Sequence, residues 1–198
     1  IEGACTRPSD EDRLESIRQR ADVVVALVAG AHLAGINALK NSHPEGAVGA
    51  AVYGEHAELF ETYAARPISA VITVDHVVPG CPICPEDFLR VVTRLLQGRT
   101  PEQVDYAVCI ECKLRETPCV HQRGQVCLGS VTRAGCGAPC PAAGHRCLGC
   151  RGLLANPNLT SLEENLGRWG LQPGRLHETL EVFLSWQLAQ RRKELRRG

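Results

Sequence analysis

The sequence predicts an α/β protein in which a parallel sheet with helices is followed by an irregular cysteine-rich domain and by C-terminal helices. Two buried-strand patterns alternate with helical patterns in the first half, which is typical of a parallel sheet. After residue 100 the chain changes to short loops with cysteine, glycine and proline, and after residue 160 to apolar residues at helical spacing. These changes predict three parts, residues 1–104, 105–152 and 153–198.

Two apolar runs are predicted to form buried strands of the sheet. Residues 23–30, "VVVALVAG", and residues 68–80, "ISAVITVDHVVPG", are rich in β-branched residues and end at glycine. The first residues, "IEGA", resemble the end of another strand, and the chain contains no methionine, even at position 1. We therefore expect the given sequence to begin after the native start, with the N-terminal part of the sheet domain missing.

Helices are predicted around these strands and near the C-terminus. Ser9 is the expected N-cap of "DEDRLESIRQRA", and a second helix is expected to begin at Pro85 and to stop at Gly98. The stretch "GAVGAAVYGEHAELFETYAAR" is a third candidate. Further along, Ser161 and Glu164 predict a capping box, and "GRLHETLEVFLSWQLAQRRKELRRG" places its leucines on one helical stripe.

Charge and hydropathy exclude several classes of partner. The formal net charge is zero, so neither nucleic acid nor an anionic membrane surface is expected as a partner. The longest apolar run, "ADVVVALVAGAHLAGI", contains glycines, Asp22 and His32, so we expect no membrane insertion. No secretory signal pattern is visible, and we expect a cytoplasmic protein.

Residues 109–150 contain eight of the eleven cysteines but no Phe, Tyr, Trp or Met. Such a segment buries too little apolar surface to offset its ordering entropy, so cross-links must hold it together. Disulfides are disfavoured because the number of cysteines is odd and no secretory signal is visible. The spacing C-x2-C-x6-C-x7-C-x8-C-x3-C-x6-C-x2-C gives two sets of four ligands, which suits two zinc ions or two 4Fe–4S clusters.

Three features favour iron–sulfur clusters over zinc. Glycines at 129, 135, 137 and 149 lie beside cysteines, where backbone must approach a bulky cluster and donate N–H groups to it. Pro141 follows Cys140, as proline follows the last ligand of bacterial ferredoxin motifs. Residues 109–152 contain six Lys or Arg and two Asp or Glu, which suits negatively charged clusters. Two neighbouring clusters indicate electron transfer, with a zinc-stabilised interaction module without redox function as the alternative.

A third site is suggested after the predicted strands, because open parallel sheets bind ligands outside the carboxyl ends of their strands. Cys5, His32, Cys81 and Cys84 all fall there. Several alternatives stay open. His32 fits a hydrogen-bonded loop histidine, and Cys5 fits a small buried thiol. The pair in "CPIC" also fits a redox dithiol, so a flavin or thiol oxidoreductase that uses this crevice is a further hypothesis.

The chain resembles the small, iron–sulfur subunit of nickel–iron hydrogenases, and in particular the cytoplasmic cofactor-420-non-reducing and sulfur-reducing types. The resemblance extends to about residue 152 and is carried by "VPGCPICPE", "CIEC", "VCLGSVTRAGCGAPCP" and "CLGCRG". "VVALVAGAHLAGINALKN" also resembles the family's strand followed by Gly-Ala-Cys and Gly-Gly-Ile-Pro-Ala-Leu. The wider family includes the 20 kDa subunit of NADH:ubiquinone oxidoreductase.

The resemblance implies a flavodoxin-like sheet domain, with a cluster proximal to a partner's nickel site, and a domain with medial and distal clusters. It implies two ligand sets: Cys109, Cys112, Cys119 and Cys127 for the distal cluster, and Cys136, Cys140, Cys147 and Cys150 for the medial one. Cys140 makes the medial cluster 4Fe–4S instead of 3Fe–4S. The implied partners are a large catalytic subunit, which contains the active site, and a further electron-transfer subunit.

The proximal site is where this sequence departs from the family. The family's N-terminal Cys-x-x-Cys is absent, and His32 stands where the Gly-Ala-Cys cysteine is expected. Cys81 matches a proximal ligand, whereas Cys84 replaces a proline and Cys5 has an unusual position. Either the proximal cluster is lost, or it is rebuilt from some of these four residues. A divergent homologue in a complex that no longer handles hydrogen is therefore a second hypothesis for the function.

Overall fold

The computed structural model describes residues 1–44 and 46–196, so residues 197 and 198 of the predicted C-terminal part lie outside it. Its helices and strands are α1 (Pro8–Arg20), β1 (Val25–Leu27), α2 (Val28–Leu33), α3 (Ala47–Tyr53), β2 (His76–Val78), α4 (Pro85–Leu96), α5 (Val108–Leu114), α6 (Pro139–Ala142), α7 (Leu159–Arg168) and α8 (Pro173–Leu195). Short 3-10 turns cover Gly35–Ser42, Gly54–Leu59, Ile68–Ala70 and Val120–Arg123.

A small parallel sheet lies at the centre of the first half. β1 pairs in parallel with β2, and Val25 lies opposite His76. Glu2 forms an isolated parallel bridge with Leu27, and the Leu27 N–H donates to the Ile1 carbonyl at 2.8 Å. The first residues therefore run alongside β1, as the pattern of "IEGA" predicts.

The predicted strands are longer than the observed ones. The strand predicted for residues 23–30 ends at Leu27, and α2 begins at Val28. Within residues 68–80, the chain first forms the turn Ile68–Ala70 and becomes a strand only at β2. Both Ile68 and Ile72 are buried in this turn, where the Ile72 N–H donates to the Ile68 carbonyl. A continuous apolar run indicates that its residues are buried, but buried residues can form a turn as well as a strand.

The predicted helices occur close to their expected positions, but two caps differ and the third candidate is α-helical only over α3 before it becomes a 3-10 turn. The helices α2, α5 and α6 are not predicted by the sequence patterns. α1 begins at Pro8 with Arg7 as its N-cap, because proline is preformed for the first helical position and Asp10 accepts the Thr6 and Arg7 N–H groups. The expected N-cap Ser9 is therefore wrong. α7 begins earlier than the predicted capping box of Ser161 and Glu164, because the Asn158 side chain accepts the Ser161 N–H at 2.8 Å.

One hydrophobic core crosses all three predicted parts of the chain. Ala29 and Leu33 of α2 pack with Val126, Leu128 and Val131 of the cysteine-rich segment and with leucines of the C-terminal part, namely Leu153, Leu162, Leu166, Leu171, Leu176, Leu180 and Leu184. A second cluster lies under α1 and the sheet and contains Leu14, Val24, Ala26 and Ile68. The cysteine-rich segment therefore packs, through the first core, against residues that precede it and residues that follow it in the sequence.

None of the helices in the described ranges combines the length and the hydropathy that crossing a membrane requires. Together the elements form a mixed helix and strand architecture around a small parallel sheet. The flavodoxin-like arrangement stays a prediction.

Candidate metal centre in the cysteine-rich segment

The first set of cysteines is assembled around α5. Cys109 and Cys112 are three residues apart on this helix and so share a face. The start of α5 is held against the chain after Cys127, because the Val108 N–H donates to the Thr132 carbonyl at 3.0 Å. Burial raises the pKa of the Cys109 thiol to about 11, and the neighbouring thiols add to the rise, namely Cys127, Cys112 and Cys119. The Cys109 thiol is therefore close enough to the thiols of Cys112, Cys119 and Cys127 for their charges to affect it.

The second set surrounds the short helix α6. Cys140 lies on α6, Cys136 precedes it, and Cys147 and Cys150 follow in the next loop. Burial raises the pKa of the Cys150 thiol to about 11, and the Cys136 and Cys140 thiols contribute to the shift. Burial also raises the pKa of the Cys147 thiol, with the thiols of Cys127 and Cys150 as its neighbours. Cys147 therefore lies between the two sets.

The two sets are in direct contact through Cys147 and Cys127. The Cys147 N–H donates to the Cys127 sulfur at 3.2 Å, and the Leu128 N–H donates to the Cys147 carbonyl at 2.9 Å. Cys127 and Cys147 are buried in one small cluster with Val108, Val120 and Ala138. Two of the five buried members of this aromatic-free core are thus thiols of the predicted ligand sets.

Backbone N–H groups are aimed at several of the thiols. The Cys147 N–H donates to the Cys127 sulfur, and the backbone at Gly129 and at Gly149 partly opposes the rise in the pKa of the Cys127 and Cys147 thiols, respectively. Gly129 is where the backbone comes closest, since a Cβ there would lie 3.4 Å from the Cys109 sulfur. N–H groups that converge on sulfur stabilise the thiolate, which is the form that binds metal. The donor set therefore fits thiolate-bound iron–sulfur clusters.

The spacing between ligand sulfurs distinguishes a zinc site from a 4Fe–4S cluster. Within residues 1–44 and 46–196, no three His, Cys, Asp or Glu side chains converge closely enough to hold one metal ion. A tetrahedral zinc with bonds to sulfur of about 2.3 Å holds its ligand sulfurs about 4 Å apart. The four thiols of a 4Fe–4S cluster bind different iron atoms and so stand farther apart.

Cys81 lies beside the second set, in a tight turn where Gly80 bridges to Ile83 and the Cys81–Pro82 peptide bond is cis. The backbone of Cys81 partly opposes the rise in the pKa of the Cys150 thiol, so the loop after β2 lies beside Cys150. The Cys81 side chain is exposed. Cys81 as a proximal ligand stays a prediction.

The other candidates for a third site make separate contacts. The Cys5 thiol lies 2.9 Å from the Tyr63 hydroxyl and is buried in the second apolar cluster, as the alternative of a small buried thiol predicts. The Cys84 thiol donates to Glu86 at 3.1 Å. His32 lines a small polar cavity, where burial and two nearby arginine charges lower the pKa of the imidazole to about 4. The described residues therefore do not bring Cys5, His32 and Cys84 into one ligand set.

Two buried charged residues next to the cysteines are absent from the predicted site. Glu111 lies between Cys109 and Cys112 in the sequence, and its buried carboxylate accepts the Gly135 N–H at 2.7 Å. Arg151 directly follows Cys150 and is also buried. Charged side chains are rarely buried without a partner. The sequence indicates only that they neighbour cysteines, because their partners lie far along the chain.

Comparisons with known proteins were consistent with the sequence resemblance. Residues 1–95 match the family model described as NADH ubiquinone oxidoreductase, 20 Kd subunit. The chain is 30% identical over 187 residues to sulfhydrogenase 2 subunit delta of Pyrococcus furiosus, and the match covers 94% of this chain and 78% of the relative.

Two further relatives are similar over a shorter share of their length. A vhu subunit of the F420-non-reducing hydrogenase of Methanococcus voltae is 34% identical, and its counterpart in Methanocaldococcus jannaschii is 31% identical. Each match covers 77% of this chain and 63% of the relative, so this chain spans less than two thirds of those proteins. Among solved structures, a chain of an NAD+-reducing nickel–iron hydrogenase in the H2-reduced state is 29% identical, with a TM-score of 0.47, covering 52% of this chain and 65% of that chain.

Proposed function

Since this chain belongs to the family of nickel–iron hydrogenase small subunits and the 20 kDa subunit of NADH:ubiquinone oxidoreductase, we propose an electron-transfer function for it. It would be the iron–sulfur subunit of an oxidoreductase complex, in its most specific form the small subunit of a nickel–iron hydrogenase. Its role would be to relay electrons between the active site of a partner subunit and a further redox partner. A cytoplasmic location is part of the proposal.

The ligand sets of the proposal follow the two groups of thiols. Cys109, Cys112, Cys119 and Cys127 would hold one 4Fe–4S cluster, and Cys136, Cys140, Cys147 and Cys150 would hold the other. When bound, such clusters supply one-electron redox chemistry. The chain itself excludes water with the buried side chains of Val108, Val120 and Ala138, and it donates the Cys147 N–H to the Cys127 sulfur. A third, proximal cluster with Cys81 as a ligand stays a prediction from the resemblance.

One observation carries the proposal, namely the hydrogen bond of 3.2 Å from the Cys147 N–H to the Cys127 sulfur. It joins a thiol of one set directly to the backbone of the other. Two metal sites that served only to stabilise the fold would not need to touch, whereas two redox centres exchange electrons faster when short bonded paths connect them. The contact therefore supports relay between two centres over two independent structural sites.

Metal analysis of anaerobically purified protein tests the proposal. We expect about eight irons per chain with matching sulfide, because two 4Fe–4S clusters require them. We also expect a brown colour that dithionite bleaches. Two zinc ions and a colourless solution would refute electron transfer and favour the zinc-stabilised interaction module.

The partner subunits are tested separately by purifying the complex from its native source. The relatives are named as hydrogenase subunits, so we propose a large nickel–iron subunit and a further electron-transfer subunit as partners of this chain. A large subunit that copurifies with nickel and with hydrogen-dependent dye reduction would support this. A copurifying complex without nickel would instead favour the divergent homologue that does not handle hydrogen.

A further inference from the structure

Arg151 is a buried cation at the junction of the cysteine-rich segment and the sheet domain. It follows Cys150 directly, and its residue surface is 3% exposed. Burial of a guanidinium in a low-dielectric interior is costly unless its N–H donors are satisfied. The hydrogen-bond acceptors of the Arg151 guanidinium therefore indicate its structural role.

The Arg151 guanidinium donates to two loops besides its own. Nε donates to the Ala134 carbonyl at 2.7 Å, two residues before Cys136. Nη1 donates to the Pro79 carbonyl at 3.0 Å, two residues before Cys81. One planar group thus ties together the loops of three cysteines, those of Cys81, Cys136 and Cys150.

The third contact of Arg151 is a buried ion pair. Nη2 donates to the Asp87 carboxylate at 2.9 Å, and both side chains are 4% exposed. Asp87 lies in the first turn of α4 and also accepts from Arg90. The planar guanidinium directs N–H donors to several acceptors at once, whereas a lysine ammonium is a compact charge without this fixed geometry.

Gly135 shows how closely the guanidinium approaches the second set of thiols. A Cβ at Gly135 would lie 2.6 Å from Arg151 Nη2, so a side chain there would displace the guanidinium.

From these contacts we propose that Arg151 is a positioning residue for the second cluster. It fixes the loops of Cys81, Cys136 and Cys150 relative to one another, and its charge raises the reduction potential of the cluster held by the second set. The proposal rests on the proposed function. A fixed cation near an anionic cluster stabilises the reduced form, which carries one more negative charge.

Redox titration of the purified protein, followed by electron paramagnetic resonance, tests the proposal. The two cluster signals are first assigned with Cys119→Ser and Cys140→Ser. We expect Arg151→Met to lower the reduction equilibrium constant of the second cluster at least tenfold, about 59 mV for one electron, while the first cluster changes less. Iron content is measured on every sample, so that failure of cluster binding is distinguished from failure of this inference.

Arg133→Met is the matched control. Arg133 and Arg151 both line the small polar cavity that contains His32. Arg133 also carries a positive charge, but it donates to the side chain of Gln103 and not to the Pro79 and Ala134 carbonyls. We expect its second-cluster potential to change less than that of Arg151→Met. Equal shifts in the two variants would overturn the proposal, because any nearby charge would then suffice.

Asp87→Asn keeps the proposal testable if Arg151→Met does not fold. This variant leaves the Arg151 charge in place and removes its counter-charge, so we expect the second-cluster potential to rise. Arg151→Lys keeps the charge and loses the planar fork, and we expect a shift smaller than that of Arg151→Met, with a broadened second-cluster signal. An unchanged or lowered potential in Asp87→Asn, with both clusters present, would overturn the proposal.

Discussion

At the scale of single residues, Glu111 is the counterpart of Arg151. Its carboxylate is buried beside Cys112 of the first set, and it accepts the Gly135 N–H next to Cys136 of the second set. The Cys136 thiol also points toward Glu111, with sulfur and oxygen 3.8 Å apart. A negative charge at this position acts on both ligand sets.

We expect Glu111→Gln to raise the reduction potentials of both clusters. Glutamine keeps the oxygen that accepts the Gly135 N–H and removes the negative charge, so the reduced clusters are repelled less. Redox titration with electron paramagnetic resonance measures the change. The control is Glu116→Gln at an exposed site, for which we expect a smaller effect. Unchanged potentials in Glu111→Gln would show that the carboxylate is purely structural.

We expect the buried imidazole of His32 to make the folded protein less stable in acid. Burial and the charges of Arg133 and Arg151 lower the pKa of its imidazole from 6.5 to about 4. Between these two pH values, His32 binds a proton in the unfolded chain but not in the folded chain. The free energy of unfolding therefore decreases as the pH falls from 6.5 toward 4. The full loss is at most about 3 kcal/mol.

Thermal unfolding of the native protein and of His32→Gln between pH 7 and pH 4.5 measures this loss. We expect the melting temperature of the native protein to fall more steeply than that of His32→Gln, because glutamine does not titrate. Parallel curves would mean that other groups account for the acid sensitivity.

At the scale of elements, α8 supports the loop that carries Cys147 and Cys150. Leu184 of α8 is fully buried in the core that crosses the chain. Gly149 adopts a φ of +83°, and a Cβ there would lie 2.9 Å from the Leu184 side chain. The long C-terminal helix therefore sets the position of two ligands of the second set.

We expect Gly149→Ala to destabilise the protein by about 1–3 kcal/mol and to lower the occupancy of the second cluster. Alanine is strained at this φ, and its methyl group collides with Leu184. Thermal unfolding and iron content per chain measure the two effects. Gly174→Ala is the control, since nothing lies within 4 Å of a Cβ at that helical position. Full iron content in Gly149→Ala would contradict the role of this contact.

At the scale of the whole molecule, the cysteine-rich segment depends on both of its neighbours. Its apolar residues Val126, Leu128 and Val131 pack against α2 and the C-terminal helices. The ion pair of Arg151 with Asp87 joins it to α4. The parts predicted as residues 1–104, 105–152 and 153–198 therefore share one core.

We expect a fragment of residues 105–152 to remain unfolded and to bind less iron than the full chain. It lacks the partners that bury its apolar side chains, and a segment of this size buries too little surface by itself. Circular dichroism and iron uptake under identical anaerobic reconstitution conditions measure the difference. A fragment that takes up eight irons and shows a cooperative thermal transition would establish an independent domain.

The sequence by itself determined the features that depend on neighbouring residues. Proline and the apolar period locate α4 at Pro85–Leu96, and the leucine stripe locates α8 at Pro173–Leu195. The eight closely spaced cysteines predict two sets of four thiols, and their assignment to the two sets stays a prediction. Local periodicity and spacing suffice for these features, because helix formation and short loops limit how far apart such residues can lie.

Only the tertiary structure decided the features that depend on residues distant in the sequence. The burial of Cys5 against Tyr63, the contact of Cys147 with Cys127 and the pairing of Arg151 with Asp87 join residues that share no local pattern. The short length of β1 and β2 has the same origin, since packing decides whether an apolar run becomes a strand or a turn. The partner of a buried charged side chain depends on which element packs beside it in the folded protein. The spacing of residues along the sequence therefore does not predict that partner.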